Sequence, residues 1–182
     1  GTPSLVSSKI IKKIISKLIA MDVVQRDCEI NFELNPKEVT KDYLAKIIDS
    51  GVNRVSVGIQ SFDQSILNSL ERNRSSNESF KALDILSEFE NIEASIDLIY
   101  GIMNQSISSF RSDIETFCSY GINHLSLYQL TIEPNTIFYK KELKIPEDSV
   151  IESMELSAHE VLNKNNIFQY EVSSWSRANK YS

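Results

Sequence analysis

Between Ser8 and Met21 the apolar residues Ile11, Ile14, Ile15, Leu18 and Ile19 recur at helical spacing, with Lys9, Lys12, Lys13 and Lys17 between them. That pattern predicts an amphipathic helix whose lysines form a solvated face. From Glu29 to Asn35 the period changes to two, with Ile30, Phe32 and Leu34 alternating with polar residues, which predicts a strand stopped by Pro36. Thr40 is placed to cap a helix running to Asp49, with Tyr43, Leu44, Ile47 and Ile48 as its stripe and Gly51 as its end. Arg54 to Gln60 returns to period two, with Val55, Val57 and Ile59 on one face. A helix around Asn77 to Phe89, a strand from Ala94 to Tyr100, a helix from Ser106 to Tyr120 and a strand from His124 to Leu130 repeat the cycle. Beyond an irregular stretch containing Pro134 and Pro146, a helix is expected from Asp148 to Asn163 and one more strand from Phe168 to Ser174.

Strand and helix alternate over short connections, the pattern of an α/β fold with a parallel sheet. Parallel strands covered on both faces read as continuous apolar runs, yet here Glu33, Ser56, Gln60, Asp97 and Ser126 occupy a second, polar face. In a barrel that face points into the lumen, and its polar residues near the strand C-termini line the usual active-site mouth. Glu33, Gln60 and Asp97 hold that place on three successive strands. The competing reading is an antiparallel, half-exposed sheet whose alternation marks only solvent; the helix after each strand argues against it.

Composition narrows the classes. Of 182 residues, 41% are hydrophobic and 24% charged, with five glycines and four prolines, so the chain is globular rather than disordered or repetitive. No apolar run is long enough for a transmembrane span, and no secretory signal is present. A net charge of −6 makes nucleic acid and anionic membrane surfaces poor partners. Two cysteines, Cys28 and Cys118, far apart in sequence, give neither a disulfide framework nor metal-ligand spacing, which fits a reducing cytosol.

Asp97 lies inside Ser-Ile-Asp-Leu-Ile-Tyr-Gly, where an unpaired carboxylate costs several kcal/mol, so a structural partner or a polar ligand must compensate it. A ribose suits a carboxylate beside an amide, because its vicinal hydroxyls donate to Asp and exchange hydrogen bonds with Gln. A cationic ligand suits Glu33. Arg72 and Arg74 are placed to grip a carboxylate bidentately, although arginines of this kind are more often solvated surface. His124 and His159 have no second ligand at metal spacing and read as structural or exposed. The polar segment after Tyr128 and Gln129, Thr131 to Thr136, reads equally as a substrate loop or a turn.

Gly1-Thr-Pro-Ser4, Glu33 within Phe-Glu-Leu-Asn-Pro36, Val57-Gly-Ile-Gln-Ser-Phe62 and Asp97-Leu-Ile-Tyr-Gly101 together resemble the coproporphyrinogen dehydrogenase-like radical S-adenosylmethionine (SAM) family. Tyr128 to Thr136 and Gln169-Tyr-Glu-Val-Ser173 look most like its HemW branch, regarded as heme chaperones. The resemblance implies a partial (β/α) radical SAM TIM-type barrel, truncated at both ends. Residues 1–182 would be part of the core barrel, with 132–182 leading into a C-terminal domain. It implies that Gly1 and Thr2 approach the methionyl end of S-adenosylmethionine with Glu33 nearby, that Arg72 pairs with its carboxylate, and that Gln60 and Asp97 hold the ribose. It also implies a 4Fe–4S cluster on a Cys-x-x-x-Cys-x-x-Cys loop upstream of Gly1, so that the cluster ligands lie outside this chain and the 182-residue piece alone is catalytically silent. Two positions depart from the family pattern: Met103 stands where proline is usual, and Arg74 where HemW-like members often have histidine.

Three functions follow. The first is a cytoplasmic HemW-type chaperone that binds heme or porphyrin and hands heme to an acceptor protein. The second is an oxygen-independent coproporphyrinogen III oxidase, whose 5′-deoxyadenosyl radical abstracts hydrogen before decarboxylation. The third is a barrel enzyme of unrelated chemistry. The residue that follows the third cluster cysteine by two positions, phenylalanine in HemW and cysteine in the oxidase, separates the first two.

Overall fold

The computed structural model describes residues 3–25, 27–72 and 75–177. Gly1, Thr2 and Arg74, each given a role or a departure above, lie outside them. Four strands follow the predicted order: β1 (Asn31–Leu34), β2 (Arg54–Gln60), β3 (Glu93–Tyr100) and β4 (His124–Gln129), parallel neighbours in one sheet. The main helices are α1 (Ser8–Ala20), α2 (Lys41–Asp49), α4 (Ser76–Ser87), α5 (Ile107–Ser119) and α7 (Asp148–Lys164), with short α3 (Gln64–Ser69) and α6 (Ile137–Lys140) between them.

Local signals account for the boundaries. Thr40 Oγ1 accepts the Tyr43 N–H at 3.2 Å, and Ser106 Oγ accepts the Ser109 N–H at 3.0 Å, each satisfying an orphan donor at a helix start. Gly51, at φ +104°, closes α2 in a conformation that few other residues adopt. β1 is shorter than its alternation predicts because Ile30 N–H donates to Asn53 Oδ1 at 2.7 Å and so leaves the strand ladder.

The apolar face of the sheet and the buried stripes of the helices form one core. Val55, Val57, Ile59, Ile96, Leu98 and Leu125 pack with Leu44, Ile47, Leu83, Phe110, Ile114 and Phe117. Each such side chain contributes about 1.5–3 kcal/mol through burial. With helices on this face and polar residues on the other, the sheet is an open arc of a (β/α) barrel. A smaller cluster of Ile66, Leu70 and Ile102 joins α3 to the segment after β3.

Two expectations need correction. The predicted strand from Phe168 to Ser174 is a hairpin: β5 (Ile167–Gln169) and β6 (Ser174–Arg177) run antiparallel, with β6 also antiparallel to β4. The polar run between them turns, with Tyr170 N–H donating to Ser174 O at 3.0 Å, because Ile167 and Trp175 are the residues the core takes up. In α1 only Ile11 and Ile15 are buried, whereas Ile10 and Ile14 are 51% and 53% exposed. The neighbour of α1 is α2, and one packed helix covers one stripe of a helix with two.

Candidate functional site

Parallel pairing lines up the polar face row by row. Glu33 stands opposite Ser56, Ser56 opposite Ser95, Gly58 opposite Asp97, and Asp97 opposite Ser126. At the C-terminal ends of β1–β3 this face opens into a cavity of about 200 Å³ lined by Glu33, Ser56, Gly58, Gln60, Arg72 and Asp97. Four of the residues assigned to the cofactor from sequence are therefore brought to one place.

Asp97 is the floor of the cavity. Its carboxylate accepts the Ser56 hydroxyl, at 2.9 and 3.1 Å to its two oxygens, and a hydrogen bond from Ser126. Burial raises its pKa above the ordinary value and the charge of Glu33 adds to the rise, while the two serines oppose it. Of the two alternatives left open for this residue, the structural partners are present in the two serines, and the carboxylate also lines the cavity.

Gln60 reaches the site by an unusual backbone. A register irregularity between Gly58 and Gln60 interrupts the β2–β3 ladder, and Gln60 sits at φ +64° with Ser61 N–H donating to Ile59 O at 2.9 Å. A bond from i+2 to i around a positive φ is a γ-turn of the strained kind. The Gln60 side chain then folds back over Gly58, and a Cβ on Gly58 would lie 2.9 Å from Gln60 Nε2. Glycine is needed there so that the amide can lie against the strand.

The end of β1 is fixed by a capping box. Glu38 Oε2 accepts the Asn35 N–H at 3.0 Å and Asn35 Nδ2 at 3.2 Å, around a turn that Pro36 begins. The same carboxylate accepts the Ser4 hydroxyl, and Tyr43 Oη donates to Ser4 O at 3.1 Å. Burial raises the Glu38 pKa, but hydrogen bonds from Ser4 and Asn35 outweigh it and hold the acid below its usual value. Ser4 is thereby tied to the turn that ends β1 and to α2. Arg72 follows α3, is exposed, and among the described residues has no carboxylate within ion-pair distance.

His124 is buried between Ser95 Oγ, 2.9 Å from Nδ1, and the Tyr170 hydroxyl on Nε2. Burial, with the Arg54 charge beside it, pushes its pKa down to about 4, so it is a neutral structural histidine. His159 is exposed and stacks edge-on against Trp175 at 4.6 Å. Tyr128 and Gln129 line a different cavity of about 540 Å³ between β4, α7 and the β5–β6 hairpin. The segment after them is a turn in which Thr136 Oγ1 donates to Glu133 O at 2.7 Å and caps α6. Sequence reasoning missed Gly58 and Asn35; the Asn-Pro pair followed by Glu38 at the third helical position was the available signal for the second.

Among the described residues no three His, Cys, Asp or Glu side chains are grouped to hold a metal ion, and no helix is long and apolar enough to cross a membrane. Burial pushes the Cys118 thiol up to about 11, so it is a poor ligand.

The radical SAM superfamily model matches residues 1–117. The chain is 35% identical over 179 residues to the heme chaperone HemW of Buchnera aphidicola from Acyrthosiphon pisum, covering 98% of this chain and 47% of that protein. It is 32% identical over 177 residues to the heme chaperone HemW of Escherichia coli, with 97% and 47% covered. Among solved structures it is similar to the coproporphyrinogen III oxidase HemN of Escherichia coli, a radical SAM enzyme, at a TM-score of 0.85 and 22% identity, over 99% of this chain and 42% of that one. The chain thus spans about half the length of the curated relatives it matches, and the likeness to HemN establishes the fold. S-adenosylmethionine and a 4Fe–4S cluster are the cofactors that superfamily implies. Motif order, sheet architecture and the family match agree, and the chain belongs to the radical SAM superfamily.

Proposed function

We propose that this chain is the S-adenosylmethionine-binding part of a cytoplasmic HemW-type heme chaperone. The observation that carries the binding half is the single cavity that gathers Glu33, Gln60, Arg72 and Asp97. Two carboxylates against one guanidinium leave it with one excess negative charge when both acids are ionised. S-adenosylmethionine carries a sulfonium and an ammonium against one carboxylate, the complementary balance. The cavity, about 200 Å³ and open to solvent on one side, is roughly seven water volumes, room for a sugar ring and its substituents.

The residues fit that ligand group by group. Asp97, oriented by Ser56 and Ser126, accepts from the ribose hydroxyls. The Gln60 amide, folded over Gly58, donates to and accepts from the same sugar. Arg72 supplies the fork for the methionyl carboxylate, and Glu33 faces the cationic groups. When bound, an iron–sulfur cluster supplies an electron to the sulfonium. Among the described residues no ligand set is grouped to hold it. Residues 1–182 then form part of the core barrel, and 132–182 lead toward a further domain.

The chaperone reading rests on similarity to HemW proteins at 32–35% identity over nearly the whole chain, against 22% to the oxidase HemN. A heme or porphyrin ligand, a heme-acceptor protein as partner and no role for nucleic acid complete it. The test uses cluster-loaded, full-length protein. Heme added to it is expected to shift the Soret band at a stoichiometric endpoint, and coproporphyrinogen III with S-adenosylmethionine, a low-potential reductant for the cluster and an electron acceptor for the product radical is expected to release no carbon dioxide. Stoichiometric carbon dioxide release would replace the chaperone with the oxidase.

A further inference from the structure

We propose that Asp113, on α5 and outside the cavity, is a positioning residue for S-adenosylmethionine: through Ser61 and Phe62 it clamps the γ-turn that aims Gln60 into the site. The proposal rests on the binding reading above and adds a residue to it.

The buried face of α5 is apolar at Phe110, Ile114 and Phe117, yet Asp113 sits among them at 3% exposure. A carboxylate there loses hydration, and its neighbours must offset that loss. Its two oxygens reach back to the end of β2: Oδ2 accepts the Ser61 hydroxyl at 2.6 Å, and Oδ1 accepts the Phe62 N–H at 2.8 Å. Ser61 Oγ in turn accepts the Asp63 N–H at 3.0 Å. One turn earlier on α5, Ser109 Oγ donates to Asp63 Oδ2 at 2.9 Å, while Asp63 Oδ1 caps α3 through the Ser65 N–H at 2.8 Å. The two residues after Gln60 are therefore fixed to α5 by a buried carboxylate, and the third by a serine.

Gln60 itself has a conformation that non-glycine residues adopt only when their surroundings impose it. The Ser61 N–H is used inside the γ-turn, on Ile59 O at 2.9 Å, so the turn keeps its shape only while Ser61 and Phe62 stay in place. Relaxing φ at Gln60 would return β2 to extended geometry and swing the amide off Gly58. Asp113 supplies the restraint from the helix side of the sheet, and the ligand need not touch it.

The experiment is a double-mutant cycle on cluster-loaded, full-length protein, read by S-adenosylmethionine affinity in equilibrium dialysis and by hydrogen exchange of the Phe62 amide. Asp113→Asn is expected to weaken binding about tenfold in the wild-type background and less than twofold in a Gln60→Ala background. In Asp113→Ala, which removes both acceptor oxygens, Phe62 exchange should accelerate by at least tenfold. Ser61→Ala, which leaves α5 intact, should do the same to a smaller degree and stands in if Asp113→Asn fails to fold. Phe117→Leu, a buried change on the same helix away from the turn, is expected to lower stability and leave affinity unchanged. Equal losses in both backgrounds, or unchanged Phe62 exchange, would overturn the positioning role while leaving the binding site standing. If Gln60→Ala and Asp97→Ala both bind like wild type, the binding reading fails and the proposal fails with it.

Discussion

Asp113 and His124 are buried titratable groups with opposite pH behaviour. Burial pushes the Asp113 carboxyl up to about 6, against roughly 3.9 unfolded, so the stability it contributes is complete below about pH 3.9 and is lost as pH rises through 6. Burial and Arg54 push His124 down to about 4, against roughly 6.5 unfolded, so its contribution is present above about 6.5 and is lost as pH falls through 4. Each swing is on the order of 3 kcal/mol, and within this window they offset one another. Relative to wild type, Asp113→Asn should gain stability from pH 4.5 to 6.5, and His124→Gln should gain from pH 6.5 to 4.5, in urea unfolding at the two pH values. Variants that track wild type across the window would contradict these assignments. Glu33, Gln60, Asp97 and the neighbouring serines were legible in the sequence because a half-polar strand announces its wet face. Asp113 was not, because helical periodicity shows where a side chain points and not that a carboxylate there has a loop to hold. The γ-turn at Gln60 was equally hidden, since the break in alternation at Ser61 marks the end of a strand and not the sign of φ at the residue before it.

Among the elements, the four parallel strands and five main helices were readable because each carries its own period and most helices their own cap. The β5–β6 hairpin was misread as one strand. Its identity depends on which residues the core accepts, and Ile167 and Trp175, at 0% and 3% exposure, are separated by a polar run that local pattern does not mark as a turn. Trp175 also meets His159 of α7 edge-on at 4.6 Å, so it ties the antiparallel edge of the sheet to the last helix. Trp175→Ala should therefore cost about 3–5 kcal/mol, measured by urea unfolding with circular dichroism because the chain has one tryptophan. A loss below about 1 kcal/mol would mean that the hairpin is not integral to the core.

Among the described residues the sheet runs from β1 to β5 without closing, and α1 presents Ile10 and Ile14 at 51% and 53% exposure, with Met21 just past its end at 62%. Apolar residues in one row on a monomer surface favour association. The 182-residue chain produced alone is expected to self-associate in sedimentation velocity, and Ile10→Lys with Ile14→Lys to shift it toward monomer; a wild-type monomer at micromolar concentration would contradict this. The fold class was legible because alternation of strand and helix with one polar face admits few topologies. Exposure of a second stripe on α1 was not, since sequence gives the stripe and only packing decides what covers it.

By the proposal above, the polar end of this sheet binds S-adenosylmethionine through Asp97. Calorimetric titration of the cluster-loaded, full-length protein tests it directly. Wild type is expected to bind one equivalent, and Asp97→Ala to lose about 1–3 kcal/mol of binding free energy, roughly five- to 150-fold in affinity, with unchanged unfolding midpoint or nearly so. Binding by Asp97→Ala as tight as by wild type would remove this carboxylate, and with it the proposed ribose contact, from the site.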